Sequence, residues 1–286
     1  MQRFGAYAAA IKPERTFFNV LMVLAGFLYA CRWHIGTPLL VYTLLGTSLL
    51  IMSGCAANNL TDRGRDIQMP RTKMRGTVTG VVSGRGLFAI ALIFGVVGAA
   101  ILAMHVNMLT CLLGLAAYID YVVLYAWSKR TTPWSTLIGT PAGSLPLAAG
   151  YTAVTNSFDK SALILCLIMV CWQMVHFYAI GIYRLKDYKA GHLPIWPARY
   201  GVKSTQQQML IFTMLYLATV IFLTVFADAG SVFMIVIGGW ALYWLYLGVK
   251  GLKNRHPEAW ARSMFGFSLH TLLLLALGIA LAPLLP

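Results

Sequence analysis

Asn58, Asp62 and Asp66 stand at i, i+4 and i+8 in the stretch 53–66. If the chain is helical there, the three side chains share one face. Two carboxylates and an amide oxygen on one stripe make a hard-oxygen array. Such an array suits Mg²⁺ held jointly by one or two carboxylates and a substrate phosphate. Arg71, Lys73 and Arg75 follow closely and supply cations for phosphate oxygens. The alternative is a solvated helix end with mixed charges. Scarcity weighs against it, because the chain has only 8 Asp+Glu and two of them lie on this stripe.

The elements that carry these residues must be membrane helices. Of the 286 residues 59% are hydrophobic and 10% are charged, against about 25% charged in a soluble domain. Mean hydropathy is +0.73. That excludes a soluble enzyme. Nine apolar stretches are long enough to span a bilayer: 16–33, 38–57, 86–105, 108–126, 134–154, 161–181, 207–226, 231–249 and 263–284. They form one transmembrane domain over 1–286, with no linker. The fold expected is an all-α integral membrane bundle of nine helices.

Basic residues fall almost wholly on one side of these spans. Of the 22 Lys+Arg, only Arg32 and Lys160 lie on the other. The positive-inside rule then puts the N-terminus in the cytoplasm and the C-terminus outside. The net charge of +14 becomes an orientation signal, and no nucleic-acid partner is expected. Met1-Gln2-Arg3 opens no signal peptide. The five cysteines form no CxxC pair and read as small core residues.

The stretch Asn-x₃-Asp-x₃-Asp followed by Met69-x-Arg71-Thr72-Lys73 resembles the first aspartate motif of UbiA-type intramembrane prenyltransferases. Asn58-Asn59, where many relatives have Asn-Asp, is similar to the branch that farnesylates haem. Three further stretches resemble that branch. They are Tyr125-Ala126-Trp127-Ser128-Lys129-Arg130, the run from Trp172-Gln173 through His176 to Arg184-x-x-Asp187-Tyr188, and Trp260-Ala261-Arg262-x-x-Phe265-Gly266-Phe267. The likeness runs from Lys12-Pro13 to Phe267. Gly64, Arg65, Pro70, Gly76 and Val175 depart from the pattern beside the motif residues.

The resemblance implies a nine-helix Mg²⁺-dependent prenyltransferase. It would move a farnesyl group from farnesyl diphosphate to a vinyl group of haem b, with addition of water and release of diphosphate. It implies Mg²⁺ on Asn58, Asp62 and Asp66, with Asp187 holding a second ion or orienting a clamp. Arg71, Lys73, Lys129, Arg130, Arg184, Lys186 and Lys203 are then candidates to bind substrate. Tyr125 and Trp172 are candidates for the electron-rich walls that an allylic cation needs; Tyr118, Tyr121, Phe177 and Tyr178 belong to the same set, beside a packing alternative. His176 lies inside span six, where ionisable groups are costly and tend to be functional. It would ligate haem iron or carry a proton; the alternative is a hydrogen bond to a neighbouring helix. Asp120 is expected to face the cavity, with pairing to a base as the alternative. Glycines and prolines from Gly139 to Gly150 are expected to allow close packing or a kink.

The expected partners are farnesyl diphosphate, haem b, the lipid bilayer, and a haem A synthase or terminal oxidase assembly. The expected location is the bacterial inner membrane, with the site facing the cytoplasm. The other acceptor is a quinone precursor or similar aromatic. A transporter would need more charge at mid-membrane than Asp120 alone. A haem-binding assembly factor would bind haem without releasing diphosphate.

Overall fold

The structure, a computed structural model, describes residues 2–67 and 72–286. Arg71, expected to bind substrate, lies outside the described residues. Among those described, every regular element is helical. A short α1 (Gln2–Ala10) leads to α2 (Pro13–Cys31), which starts on Pro13. Proline suits a first turn, where its missing N–H has no partner to lose. Next, α3 (Thr37–Asp66) has 30 residues, about 45 Å at 1.5 Å each. That exceeds the ~30 Å of bilayer hydrocarbon, so one end must stand clear of it.

The short α4 (Gly76–Thr79) precedes α5 (Gly84–His105), which Ser83 caps through the Gly86 N–H. α6 (Met108–Ile119) runs through a π turn, Asp120–Leu124, into α7 (Tyr125–Thr131). Then follow α8 (Ser135–Ile138), α9 (Pro141–Thr155), α10 (Lys160–Tyr183) and α11 (Leu185–Ala190). The chain closes with α12 (Trp196–Ala227), α13 (Gly230–Phe233), α14 (Gly239–Gly251) and α15 (Pro257–Leu281).

Among the described residues, eight helices are long and apolar enough to cross a membrane. The expected fifth stretch, 134–154, is not one of them. It is split into α8 and the 15-residue α9, with Pro146 inside. A helix of that length reaches about 22 Å, less than the hydrocarbon thickness. Eight of the nine expected stretches thus hold full-length helices, and the fifth holds the shorter α9.

The core gathers on α10, which packs against α9, α12 and α15. Helices α2 and α9 approach backbone to backbone. A Cβ on Gly26 would meet the Leu147 carbonyl oxygen, and one on Gly150 that of Val23. The small residues of this stretch do serve close packing, as expected. Asp120, expected to face the cavity, is buried instead and accepts from the Ala142 N–H at 3.1 Å. It satisfies one of the free amides in the first turn of α9. Cys55, Cys111, Cys166 and Cys171 are buried thiols, and Cys31 is half-buried.

Candidate active site

Because α3 stays helical through Asp66, Asn58, Asp62 and Asp66 fall on one side of it. Each meets a base from a different element. Asp62 pairs with Lys129 of α7. Arg130 donates to the Thr61 carbonyl at 2.8 Å, one residue away. Asp66, 4% exposed, accepts from Arg75 Nη1 through both oxygens, at 2.7 and 2.9 Å. The Thr72 hydroxyl donates to the Asp66 carbonyl at 3.0 Å. Buried Asn58 accepts through Oδ1 from Lys12 Nζ at 3.2 Å and from the Tyr121 hydroxyl at 3.3 Å. The charged lysine can only donate, which assigns the acceptor to Asn58 Oδ1. Asn58 Nδ2 is left without a partner.

Lys12 sits just ahead of α2 in a left-handed conformation. Burial pushes its ammonium down to about 7, and nearby Arg15 adds to the shift. An anion beside it would restore the charged form. Lys12, Arg15, Asn59 and Arg75 line a cavity of about 730 Å³ between α1, α2 and α4.

Aromatic rings continue from this charged cluster. Tyr121 and Tyr125 stack at 6.0 Å and 8°. Lys12 Nζ lies 5.9 Å from the Tyr121 ring and Lys129 Nζ 5.4 Å from the Tyr125 ring. Arg15 donates to the Tyr121 hydroxyl at 3.3 Å. Gly139 leaves room for Tyr125, whose ring a Cβ there would meet at 2.5 Å.

His176 is buried between Trp172 at 4.8 Å, Phe177 at 5.2 Å and Phe265 at 5.0 Å between ring centres. Both Trp172 and His176 are fastened to Ser268 of α15: Trp172 Nε1 donates to its carbonyl at 2.8 Å, and His176 Nδ1 lies 2.7 Å from its hydroxyl. The hydroxyl has one proton and gives it to the Phe265 carbonyl at 2.6 Å. It therefore accepts from His176 Nδ1–H. By this network Nε2 keeps the lone pair.

Residues 19–282 match the UbiA prenyltransferase family. The chain belongs to that family. It is 38% identical over 267 residues to the protoheme IX farnesyltransferase of Salmonella arizonae, covering 93% of this chain and 90% of that protein. Its fold is shared with a solved structure of digeranylgeranylglyceryl phosphate synthase, at TM-score 0.83 and 15% identity over 99% of each chain. A UbiA homolog from Archaeoglobus fulgidus bound to DMAPP and Mg²⁺ also shares it, at TM-score 0.72 and 16% identity, over 96% of this chain and 98% of that one.

As a UbiA-family chain, it places its expected site residues unevenly. Asn58, Asp62, Asp66, Lys129, Arg130 and Tyr125 come together at the end of α3. Trp172 and His176 form a second group on α10. Lys73, Lys186 and Lys203 are exposed, and none makes an ion pair among the described residues. Asp187 is half-buried on α11. Among the described residues no three of the acids, histidines and cysteines converge. The donor set still fits Mg²⁺, which takes one or two carboxylates and completes its shell from phosphate and water. Asp62 and Asp66 are such carboxylates, each with a cation that a bound ion would release.

Lys12, Arg15 and Ser268 were not expected in the site. Lys12 and Arg15 looked like orientation charges. Their spacing of three, at the mouth of an apolar helix, was the available signal. Ser268 carried none, since its partner lies 92 residues away.

Proposed function

We propose that the protein transfers a farnesyl group from farnesyl diphosphate to a vinyl group of haem b, adding water and releasing diphosphate. The observation that carries this is the meeting of Asn58, Asp62 and Asp66 with bases from three other elements at one end of α3. The similarity to a protoheme IX farnesyltransferase over most of both chains supports haem as acceptor.

Asp62 and Asp66, with Asn58, would hold Mg²⁺. When bound, it supplies Lewis-acid stabilisation of the departing diphosphate. Lys129 and Arg75, released from the carboxylates, turn to phosphate oxygens, as do Arg130, Lys12 and Arg15. Asn58 Nδ2, which has no partner of its own, donates to the same group. The allylic C–O bond breaks with its electron pair leaving on diphosphate. The stacked faces of Tyr121 and Tyr125 favour the cation that forms. The vinyl group attacks farnesyl C1, and water adds to the other vinyl carbon and loses a proton. His176 Nε2 is a group able to accept that proton or to ligate the haem iron. The site faces the cytoplasm of a bacterial inner membrane, in keeping with the one-sided bases.

The test is purified protein in lipid, given farnesyl diphosphate, Mg²⁺ and either haem b or 4-hydroxybenzoate. Diphosphate release and a prenylated product are expected with haem b alone. Product with 4-hydroxybenzoate alone moves the protein to an aromatic acceptor. Transport activity without either product removes the enzyme assignment.

A further inference from the structure

A second positive cluster lies away from α3. Tyr183 ends α10, and two guanidinium groups gather on its ring. Arg184 Cζ is 5.2 Å and Arg262 Cζ 5.8 Å from the ring centre. Arg184 Nε also donates to the Tyr183 hydroxyl at 3.0 Å. No Asp or Glu among the described residues pairs with either arginine. Arg184 is half-buried and Arg262 exposed, so both guanidinium forks are open to an incoming anion.

The ring is also the end of an aromatic wall. Tyr183 contacts Phe265 at 5.6 Å, Phe265 contacts His176 at 5.0 Å, and His176 stacks on Trp172 at 4.8 Å. A row of aromatic rings, tilted to one another and running from a histidine, thus ends in a pair of forks. Guanidinium forks match carboxylates bidentately. The complementary ligand is a planar macrocycle with two carboxylates on one edge.

We propose that Arg184 and Arg262, held over Tyr183, receive the two propionates of the haem acceptor while its macrocycle lies along Phe265 and His176. This rests on haem being the acceptor. Arg262 then helps select a dicarboxylate macrocycle over a small monocarboxylate aromatic, and the arginines serve the acceptor rather than the diphosphate.

The experiment titrates haem b and haem b dimethyl ester into the full-length protein in detergent, read by the Soret band. The wild-type protein is expected to bind the diacid about tenfold tighter than the ester, as for loss of charge-assisted contacts. Arg262→Gln is expected to weaken the diacid and leave the ester unchanged, and adding Arg184→Gln to close the gap. Equal binding of diacid and ester by the wild-type protein overturns the proposal, without need of any variant. So does a variant that weakens both alike while still binding farnesyl diphosphate. Binding alone is read, so the outcome is independent of turnover. A diacid–ester gap without farnesylated haem sinks the reaction and leaves the receptor standing, and product without a gap does the reverse.

Discussion

Asp62 and Lys129 form an ion pair, which sets opposite charges side by side in the site. Asp62→Ala is therefore expected to cut product formation by about a hundredfold or more, as loss of a group acting on the developing charge does. Membrane insertion should be normal, and product mass spectra read the effect; full activity would remove Asp62 from the site. Lys12 and Arg15 were visible as charges but not as site groups, because only folding brings the α2 entrance against Asn58 and Tyr121. His176 was legible as an intramembrane histidine, whereas the serine that sets its tautomer was not. Ser268→Ala is expected to lower kcat about tenfold and leave the KM for farnesyl diphosphate unchanged, with Ser268→Thr restoring the rate. Steady-state kinetics on the three proteins checks this, and a rise in that KM alone would contradict it.

At the scale of elements, apolar length located the helices well and their ends poorly. The charged ends of α3 and α7 remain helical, so the motif residues stand on rigid elements rather than in loops. Hydropathy cannot see this, because a helix leaving the bilayer changes solvent and not period. The shortening of α9 was hidden too, since residues 134–154 are apolar whether or not a turn divides them. The Asp120 carboxylate ties the π turn between α6 and α7 to that divided segment. Asp120→Ala is expected to cost about 1 kcal/mol of stability, as for a lost N-terminal cap. A lower Tm in detergent with unchanged KM for both substrates is the expected pair of results. Unchanged Tm with altered KM would return Asp120 to the cavity. Gly150→Val drives a side chain into the α2 backbone and is expected to lower Tm more than Asp120→Ala does, since α2 must move as a unit.

For the whole molecule, composition alone dictated an apolar helical bundle, and the sorting of bases between loops predicts its direction in the membrane. That direction is open to a simple check. Lys73→Cys and Lys160→Cys place thiols on exposed positions predicted to lie on opposite faces. An impermeant thiol reagent should label position 73 only in inverted vesicles and position 160 only in right-side-out ones; labelling of both from one side would overturn the orientation. The acceptor was legible only through family resemblance, because the proposed haem contact needs α10 and α15 side by side, and no local spacing encodes that. The most direct measurement is mass spectrometry of haem extracted from membranes in which the protein is expressed with a farnesyl diphosphate supply. A haem heavier by one farnesyl group and one water is predicted, absent with Asp62→Ala. Unmodified haem in both, with the wild-type protein present in the membrane, would contradict haem farnesylation.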